Sequence, residues 1–273
     1  MIEALTEALA SHDRLLVLTG AGCSTSSGIG DYRDEYGEWK RRPPVQHKDF
    51  VEHLTWRQRY WARSQVGYPE FCQARPNRAH DYLAAWEARG WVTGIITQNV
   101  DRLHQAAGSR RVIDLHGRLD EVLCLGCKRV TAREELQPWL EVKNPQITQM
   151  GHKAIMAPDG DADLESEAFT SYTVPRCTFC TGTLKPNVVF YGDSVPKDRV
   201  ELAYRWVAAS SVLLVVGSSL MVFSSFRFVR KAVELGIPVY AINRGKTRAD
   251  ELFANKVDAD CVNALRAIDN ALP

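Results

Sequence analysis

The feature that most constrains the fold of this chain is an alternation of short apolar runs with stretches of helical periodicity. This alternation is typical of a parallel sheet whose strands are connected by helices. It predicts strands near residues 14–19, 92–97, 112–115, 212–216 and 237–242, with helices near 77–89, 196–209 and 225–235. Gly90 and Gly236 follow two of these helices, where glycine commonly ends a helix. We therefore expect an α/β fold with a Rossmann-like, doubly wound parallel sheet.

A glycine-rich loop follows the first predicted strand. It reads Gly20-Ala21-Gly22-Cys23-Ser24-Thr25-Ser26 and continues through Asp31-Tyr32-Arg33. Glycines at this place let backbone N–H groups approach a phosphate near a helix N-terminus. Thr25 stands where the dehydrogenase fingerprint has its third glycine, which weakens a hydride-transfer interpretation. The loop predicts a dinucleotide site, and a glycine-rich turn without a ligand is the alternative.

Two stretches interrupt the alternation, one rich in Trp, Tyr and Arg and the other holding four of the seven cysteines. We predict a Rossmann-like domain at 1–39, 76–121 and 186–273, a helical module at 40–75, and a zinc-binding module with a long inserted loop at 122–185. The two modules together would form a small inserted domain. Modules inserted over the carboxyl ends of parallel strands form a cleft where ligands bind.

The second insertion contains two CxxC motifs, Cys124-Leu125-Gly126-Cys127 and Cys177-Thr178-Phe179-Cys180. Such a pair supplies the four thiolates of a tetrahedral structural zinc site. The 49 intervening residues exceed the spacer of a compact ribbon, but the longer loop costs only about 1 kcal/mol, against about 10–16 kcal/mol for structural zinc binding. We expect Zn²⁺ to hold the module together without taking part in the reaction. A disulfide pair or free thiols are the alternatives.

Polar residues follow several predicted strands. Gln98-Asn99-Val100-Asp101 comes after the second strand, and His116-Gly117 comes after the third. Because the carboxyl ends of parallel strands meet at one edge of a sheet, we expect these residues in the ligand cleft. His116 is the candidate general base, since an imidazole titrates near neutral pH. Helix capping by Asn99 or Asp101 and a structural role for His116 are the alternatives.

Three more segments have the composition of binding loops. Gly217-Ser218-Ser219 and Asn243-Arg244-Gly245 follow later strands, where small residues and backbone donors suit a phosphate or a ribose. Ordinary turn chemistry explains each of them equally well. Residues 185–193 combine extended-chain preference with Pro186, which predicts an edge segment able to pair with a peptide.

Composition narrows the class of protein. The 273 residues are 45% hydrophobic and 25% charged, as in a soluble globular protein. The net charge of +1 offers no field for nonspecific nucleic-acid binding. No apolar run approaches the roughly 20 residues that span a bilayer, and the acidic, helical N-terminal segment is unlike a signal peptide. We expect a cytoplasmic monomer that binds neither nucleic acid nor membrane.

These motifs, in order along nearly the whole chain, resemble the sirtuin family, and within it the class II branch that contains mitochondrial sirtuin-4. The resemblance implies an NAD-dependent protein lysine deacylase that acts on acyl-lysine proteins, with NAD as co-substrate and one structural zinc. In that reaction the acyl-lysine oxygen attacks the nicotinamide ribose, nicotinamide leaves, and the acyl group ends on ADP-ribose. Mono-ADP-ribosyl transfer or NAD hydrolysis is the alternative among enzymes. A noncatalytic NAD or acyl-lysine binding module is the alternative of another class.

The resemblance also implies roles for individual residues. His116 would act as general base on a ribose hydroxyl, and Asn99 and Asp101 would hold the nicotinamide amide. The other residues expected to contact NAD are Gly20, Ala21, Gly22, Asp31, Tyr32, Arg33, Gln98, Gly217, Ser218, Ser219, Asn243, Arg244, Gly245 and Cys261. The residues expected to contact the substrate backbone are Val188, Val189, Phe190 and Gly192. The expected zinc ligands are Cys124, Cys127, Cys177 and Cys180.

Tyr60 and Arg63 lie three residues apart on a predicted helix and share one face. They resemble the pair that reads acidic acyl groups in the mitochondrial sirtuin-5 branch, and a phenol with a guanidinium suits a terminal carboxylate. The pair therefore predicts a preference for longer or acidic acyl groups over acetyl. The alternative is that Tyr60 packs in a core and Arg63 is solvated.

Overall fold

The structure is a computed structural model that describes residues 2–40, 44–150, 160 and 166–271. Its strands are β1 (Leu15–Thr19), β2 (Val92–Thr97), β3 (Val112–Asp114), β4 (Gly117–Cys124), β5 (Val130–Ala132), β6 (Leu184–Val188), β7 (Val212–Val216), β8 (Val239–Ile242) and β9 (Asn255–Val257). Its helices are α1 (Ile2–Ala10), α2 (His47–Glu52), α3 (Leu54–Phe71), α4 (Arg78–Ala88), α5 (Leu103–Ala106), α6 (Arg133–Lys143), α7 (Pro145–Thr148), α8 (Lys197–Ala209), α9 (Phe223–Glu234) and α10 (Cys261–Ala271).

The chain divides into two compact units. The first comprises Met1–Arg41, Arg75–Leu115 and Val195–Pro273, and the second comprises Arg42–Ala74 and His116–Ser194. These limits differ from the predicted ones, because residues 116–121 and 186–194 belong to the second unit. The physical reason is that β4 and β6 pair with each other in an antiparallel sheet, so both strands fold with the cysteine motifs that lie beyond them.

A six-stranded sheet forms the centre of the first unit. Its order is β3-β2-β1-β7-β8-β9, and every neighbouring pair is parallel. The chain winds outward from β1 in one direction and from β7 in the other. The order therefore reverses between β1 and β7, and open α/β sheets bind ligands beside the carboxyl ends of such strands. The predicted doubly wound sheet is confirmed.

Alternate residues of the sheet enter two separate hydrophobic clusters. In β1, Leu15 and Val17 pack in one cluster with Trp86, while Leu16 and Leu18 pack in the other with Phe228. Successive side chains of a strand point to opposite faces, so helices cover both faces of the sheet. This explains why the strands read as continuous apolar runs instead of alternating polar and apolar residues.

The second unit combines an antiparallel sheet with helices. The sheet order is β5-β4-β6, which leaves β6 at one edge. Its hydrophobic core includes Phe50 and Trp61 from the helical segment and Cys124 and Cys177 from the cysteine motifs. The predicted helical and zinc-binding modules therefore share one core.

Part of the predicted inserted loop, residues 151–159 and 161–165, lies outside the described residues. Among the helices that the structure describes, none is long and apolar enough to cross a membrane.

Candidate functional site

The glycine-rich loop leaves β1 at the point where the sheet order reverses. It forms two short 3₁₀ turns, Ala21–Cys23 and Thr25–Ser27. The Gly22 N–H donates to the Gly217 carbonyl at 2.9 Å. A Cβ on Gly20 would lie 2.8 Å from the same oxygen, and one on Gly22 would lie 3.0 Å from the Gly217 Cα. The glycines therefore permit a backbone contact with the turn after β7, a partner that the sequence did not identify.

Behind this loop, three polar side chains form a connected cluster. The Asn99 amide donates to the Gly20 carbonyl at 3.1 Å and to Ser24 Oγ at 3.0 Å. The Ser24 hydroxyl in turn donates to Asp101 Oδ2 at 2.6 Å. Ser24 and Asn99 are buried. The predicted residues Asn99 and Asp101 thus lie together, and Ser24 joins them. The one sequence signal for Ser24 was a hydroxyl beside the loop glycines.

Asp101 has two hydrogen-bonding roles. Burial raises the pKa of its carboxyl, while hydrogen bonds from Ser24 and from the Leu103 backbone oppose that rise. Asp101 Oδ1 also accepts the Leu103 N–H at 2.9 Å, so the carboxyl contacts the first residue of α5. The N-cap residue of that helix is Arg102, and Asp101 precedes it. An amide and a carboxyl side by side supply donors and acceptors suited to a carboxamide.

The turn after β7 joins the same polar region. Gln98 Nε2 donates to Ser218 Oγ at 2.6 Å and to the Thr19 carbonyl at 3.3 Å. Gly217 has φ of +61°, and a Cβ there would meet Cys23 N at 2.4 Å and Cys261 Sγ at 3.0 Å. Gln98 and Ser218 thus lie together beside the carboxyl ends of the strands, and Cys261, at the start of α10, lies beside Gly217.

The turn after β8 is held by its own hydrogen bonds. Asn243 is buried, and its amide donates to the Arg244 carbonyl at 2.7 Å. The Gly245 N–H donates to Asp258 Oδ2 at 3.2 Å. The exposed Arg244 guanidinium lies 3.8 Å from Asp260 Oδ2. These contacts fix the conformation of the turn, and the Arg244 guanidinium stays exposed.

Asp31, Tyr32 and Arg33 lie in a loop that is stabilised by contacts with residues 37–40. The Arg33 guanidinium stacks 3.9 Å from the centre of the Trp39 ring and donates to the Gly37 carbonyl at 2.7 Å. Asp31 Oδ1 lies 2.6 Å from the Lys40 ammonium. The predicted cofactor residues of this loop are thus oriented by neighbours within ten residues.

A further buried group, Cys23, His80 and His104, lies in the first unit with ligand atoms within 4.8 Å of one another. Burial lowers the pKa of His80 to about 4, so its ring is neutral. The Asn77 N–H donates to His80 Nδ1 at 3.2 Å, which leaves the proton on Nε2, the nitrogen without a hydrogen-bond partner. A neutral imidazole has one acceptor nitrogen, and in His80 the Asn77 N–H already occupies it. This group therefore has too few ligands for a metal site and serves packing.

In the second unit, the backbone of His116 is tied to the predicted substrate segment. The Val189 N–H donates to the His116 carbonyl at 2.7 Å, and Gly117 pairs with Val188. Gly117 has φ of +87°, and a Cβ there would lie 2.1 Å from the Asn187 carbonyl oxygen. Glycine is required at this position, and the close contact holds His116 beside Val188 and Val189.

Tyr60 is buried within a cluster of aromatic rings. It is 3% exposed, and its ring centre lies 5.4 Å from Phe50, 5.4 Å from Trp61 and 5.3 Å from Phe190. Arg63, one helical turn further along α3, is partly exposed. The predicted alternative, that Tyr60 packs in a core, agrees with its burial. Its contact with Phe190 also places it against the predicted substrate segment.

The four cysteines of the CxxC motifs lie within 4.8 Å of one another. Two Sγ–Sγ distances, Cys124–Cys180 and Cys127–Cys177, are 3.4 and 3.8 Å, close to the roughly 3.8 Å that separates thiolates around a tetrahedral zinc. A Cβ on Gly182 would lie 3.1 Å from Cys124 Sγ. The sulfurs and the glycine beside them fit a structural Zn²⁺.

Both motifs also share one backbone turn. The residue after the second cysteine is left-handed in each, with φ of +62° at Lys128 and +59° at Thr181. Its N–H donates to the carbonyl of the first cysteine of the motif, at 3.0 and 2.8 Å. This repetition is typical of two matching metal-binding knuckles, and the predicted zinc ligands are the residues that it brings together.

Comparison with known proteins agrees with this geometry. The sequence profile of the Sir2 family matches residues 20–224. The NAD-dependent protein deacetylase of Xanthomonas campestris pv. campestris (strain 8004) is 56% identical over 262 residues, which cover 96% of this chain and 89% of that protein. The human NAD-dependent protein lipoamidase sirtuin-4, mitochondrial, is 48% identical over 260 residues, covering 94% and 82% of the two chains.

Solved structures show the same relationship. A Sir2 protein with a p53 peptide and NAD⁺ has a TM-score of 0.78 at 29% identity, covering 99% of this chain and 98% of the other. Sir2Tm bound to a propionylated peptide has a TM-score of 0.77 at 29% identity, covering 98% and 97%. Since the family profile spans most of the chain and relatives align along nearly all of it, the chain belongs to the Sir2 family of NAD-dependent protein deacylases.

Proposed function

We propose that this enzyme moves the acyl group of an acyl-lysine to ADP-ribose with release of nicotinamide, and that the residues described above carry that reaction. The observation that carries the proposal is the Ser24, Asn99 and Asp101 cluster at the point where the sheet order reverses. Its amide and carboxyl suit the carboxamide of nicotinamide. We assign Asn99 and Asp101 to the nicotinamide end of NAD, with Ser24 orienting both.

The remaining NAD contacts follow from the order of the strands. Gln98 and Ser218, which are hydrogen-bonded to each other, are assigned to the nicotinamide ribose and a phosphate. The turn after β8, with Asn243 and Gly245, is assigned to the adenosine side, because β8 is the next strand beyond β7. Further residues assigned to NAD are Gly20, Ala21, Gly22, Asp31, Tyr32, Arg33, Gly217, Ser219, Arg244 and Cys261.

His116 is assigned as the general base on a ribose hydroxyl. Two contacts support this role. The His116 carbonyl accepts the Val189 N–H, and Gly117 pairs with Val188. Val188 ends β6, which lies at the edge of its sheet, and Val189, Phe190 and Gly192 follow directly after it. An edge strand offers backbone groups to an extended peptide. One strand end therefore holds the base and one edge segment receives the acyl-lysine peptide.

We further propose a preference for longer or acidic acyl groups, read by Tyr60 and Arg63. The support is the contact of Tyr60 with Phe190, which puts the phenol ring against the substrate segment, and the position of Arg63 on the same face of α3. A guanidinium would recognise a terminal carboxylate through charge-assisted hydrogen bonds.

One experiment tests the reaction. The enzyme is incubated with NAD and peptides carrying acetyl-, glutaryl-, methylglutaryl- or lipoyl-lysine, and the products are identified by mass spectrometry. We expect O-acyl-ADP-ribose and free lysine peptide, and no turnover with His116→Tyr, which should still bind NAD. Radioactive label from NAD retained on protein would instead establish ADP-ribosyl transfer. Free ADP-ribose formed without peptide would establish NAD hydrolysis.

A second experiment tests the acyl preference. Arg63→Met should slow turnover of glutaryl-lysine by about ten- to a hundredfold, the value of a charge-assisted hydrogen bond of about 1.5–3 kcal/mol. Turnover of acetyl-lysine should stay unchanged. Arg129→Met is the matched control, because Arg129 is an exposed arginine of the same unit. An equal loss on both substrates would show that Arg63 supports the fold and reads no carboxylate.

A further inference from the structure

Lys185 is a lysine with a buried side chain. It lies within β6 and is 4% exposed. Burial lowers the pKa of its ammonium to about 8, and the nearby Asp193 carboxylate opposes that change. Taking an ammonium out of water is costly unless it is well paired. The contacts that compensate for this burial should therefore show what the side chain does.

The contacts of the Lys185 ammonium lie within the segment that follows it. It donates hydrogen bonds to the carbonyls of Val188 and of Pro186, the latter at 3.4 Å. It also lies 4.4 Å from the centre of the Phe190 ring and 3.8 Å from Asp193 Oδ2. Two backbone carbonyls and two side chains of residues 186–193 therefore surround the Lys185 ammonium.

A second anchor holds the far end of this segment. Asp193 Oδ2 lies 3.1 Å from His47 Nδ1 at the start of α2. The Asp193 N–H donates to the Phe190 carbonyl at 3.0 Å, and the His47 N–H donates to the Tyr191 carbonyl at 2.8 Å. Asp193 thus lies between the buried ammonium and the start of α2, and the two backbone hydrogen bonds hold the turn.

We propose that Lys185 is a positioning residue for the acyl-lysine peptide: its ammonium, together with Asp193, holds Val188 and the turn that follows it in the conformation that pairs with substrate. This inference rests on the proposed function. A charge-assisted hydrogen bond to a carbonyl is stronger than a neutral one, so the cation keeps the Val188 carbonyl turned inward. The edge of β6 that faces away from β4 stays available to the peptide.

The test measures peptide binding without turnover. A fluorescein-labelled acetyl-lysine peptide is titrated with enzyme in the absence of NAD, and anisotropy gives its Kd. Lys185→Met keeps the length of the side chain and removes the charge. We expect it to raise the peptide Kd about tenfold, which corresponds to about 1.4 kcal/mol, and to leave the Kd of NAD unchanged. Asp193→Asn should raise the peptide Kd by a smaller factor, and it provides the test if the methionine variant does not fold.

Lys143→Met is the matched control, because Lys143 is an exposed lysine at the end of α6 in the same unit; it should bind peptide as the wild type does. The inference is overturned if Lys185→Met and Asp193→Asn bind peptide normally. It is also overturned if the Kd of NAD rises as much as that of the peptide, which is what a general loss of structure would cause. Failure of the wild-type enzyme to bind or deacylate any acyl-lysine peptide would instead refute the proposed function.

Discussion

Replacing Gly217 with alanine tests the close approach of two loops beside the sheet. Gly217 has φ of +61°, and an added Cβ would lie 2.4 Å from Cys23 N and 2.6 Å from Gly22 C. Both contacts are with backbone atoms, which cannot rotate away as a flexible side chain can. The turn after β7 or the glycine-rich loop must therefore move to accommodate a methyl group.

Gly217→Ala should destabilise the folded protein in two ways. A left-handed backbone costs a residue with a Cβ about 1–2 kcal/mol, and overpacking of a close contact costs about 1–3 kcal/mol more. We expect Gly217→Ala to lower the free energy of unfolding by about 2–5 kcal/mol. Domains of this kind are stable by about 5–15 kcal/mol, so the variant should fold, with the proposed NAD loop displaced.

Gly236→Ala is the matched control, since Gly236 has φ of +71° but no atom within 4 Å of an added Cβ. Gly236→Ala should lower the free energy of unfolding only by the penalty for a left-handed backbone, about 1–2 kcal/mol. It should leave NAD binding intact. Urea denaturation and NAD titration measure both effects. Equal destabilisation by the two substitutions, with equal NAD affinity, would refute the argument that the Gly217 contact shapes the loop.

Three other outcomes are expected. Removing zinc with a chelator should lower the melting temperature measured by circular dichroism, because the four thiolates then lose the metal ion that holds them together; an unchanged melting temperature would contradict a structural zinc. Burial raises the pKa of Asp269, but hydrogen bonds from Trp86 and Arg89 outweigh it and leave that pKa lowered. The stability from this carboxylate is therefore present above about pH 4, its unfolded pKa, and is lost as pH falls through the lower folded pKa. Asp269→Asn should cost about 1 kcal/mol at pH 7 and weaken the loss of stability in acid, as urea denaturation across that range would show; a parallel pH dependence would contradict this linkage. Ser24→Ala removes a hydrogen bond that holds down the pKa of Asp101, so the acid limb of the pH profile of NAD affinity should move to higher pH, and an unmoved limb would separate Asp101 from NAD binding.

Much of the first unit was predictable because its signals are local. A buried strand such as Val212–Val216 is a run of apolar residues, and the end of a helix at Gly236 needs one residue that tolerates positive φ. The CxxC motifs were equally clear, since each knuckle is complete within five residues. The partner of the glycine-rich loop was not predictable, because Gly22 and Gly217 are far apart in the chain and neither carries a side chain to suggest the contact.

The local sequence pattern also did not predict where one unit ends and the other begins. Residues 116–121 follow a strand of the parallel sheet and were predicted to belong with it, but β4, which begins at Gly117, pairs with β6. Strand pairing depends on which segments meet in space, and the apolar pattern of one strand does not identify its partner. Tyr60 is a similar case, because its position on α3 was foreseen while its contact with Phe190 depends on how that helix packs.

By itself, the sequence determined the kinds of element, the four cysteines of the CxxC motifs and the polar strand ends, because periodicity and donor type reside in short stretches of chain. The tertiary structure alone decided that Ser24 links Asn99 to Asp101, that Gly20 and Gly22 pack on Gly217, and that a buried Lys185 holds the segment beside His116. The contacts of Ser24 and Gly217 depend on distances between residues remote in sequence, whereas the partners of Lys185 are near it in the chain and the fold supplies its burial. Such distances are set when the sheet order brings the strand ends together and the core excludes water around them.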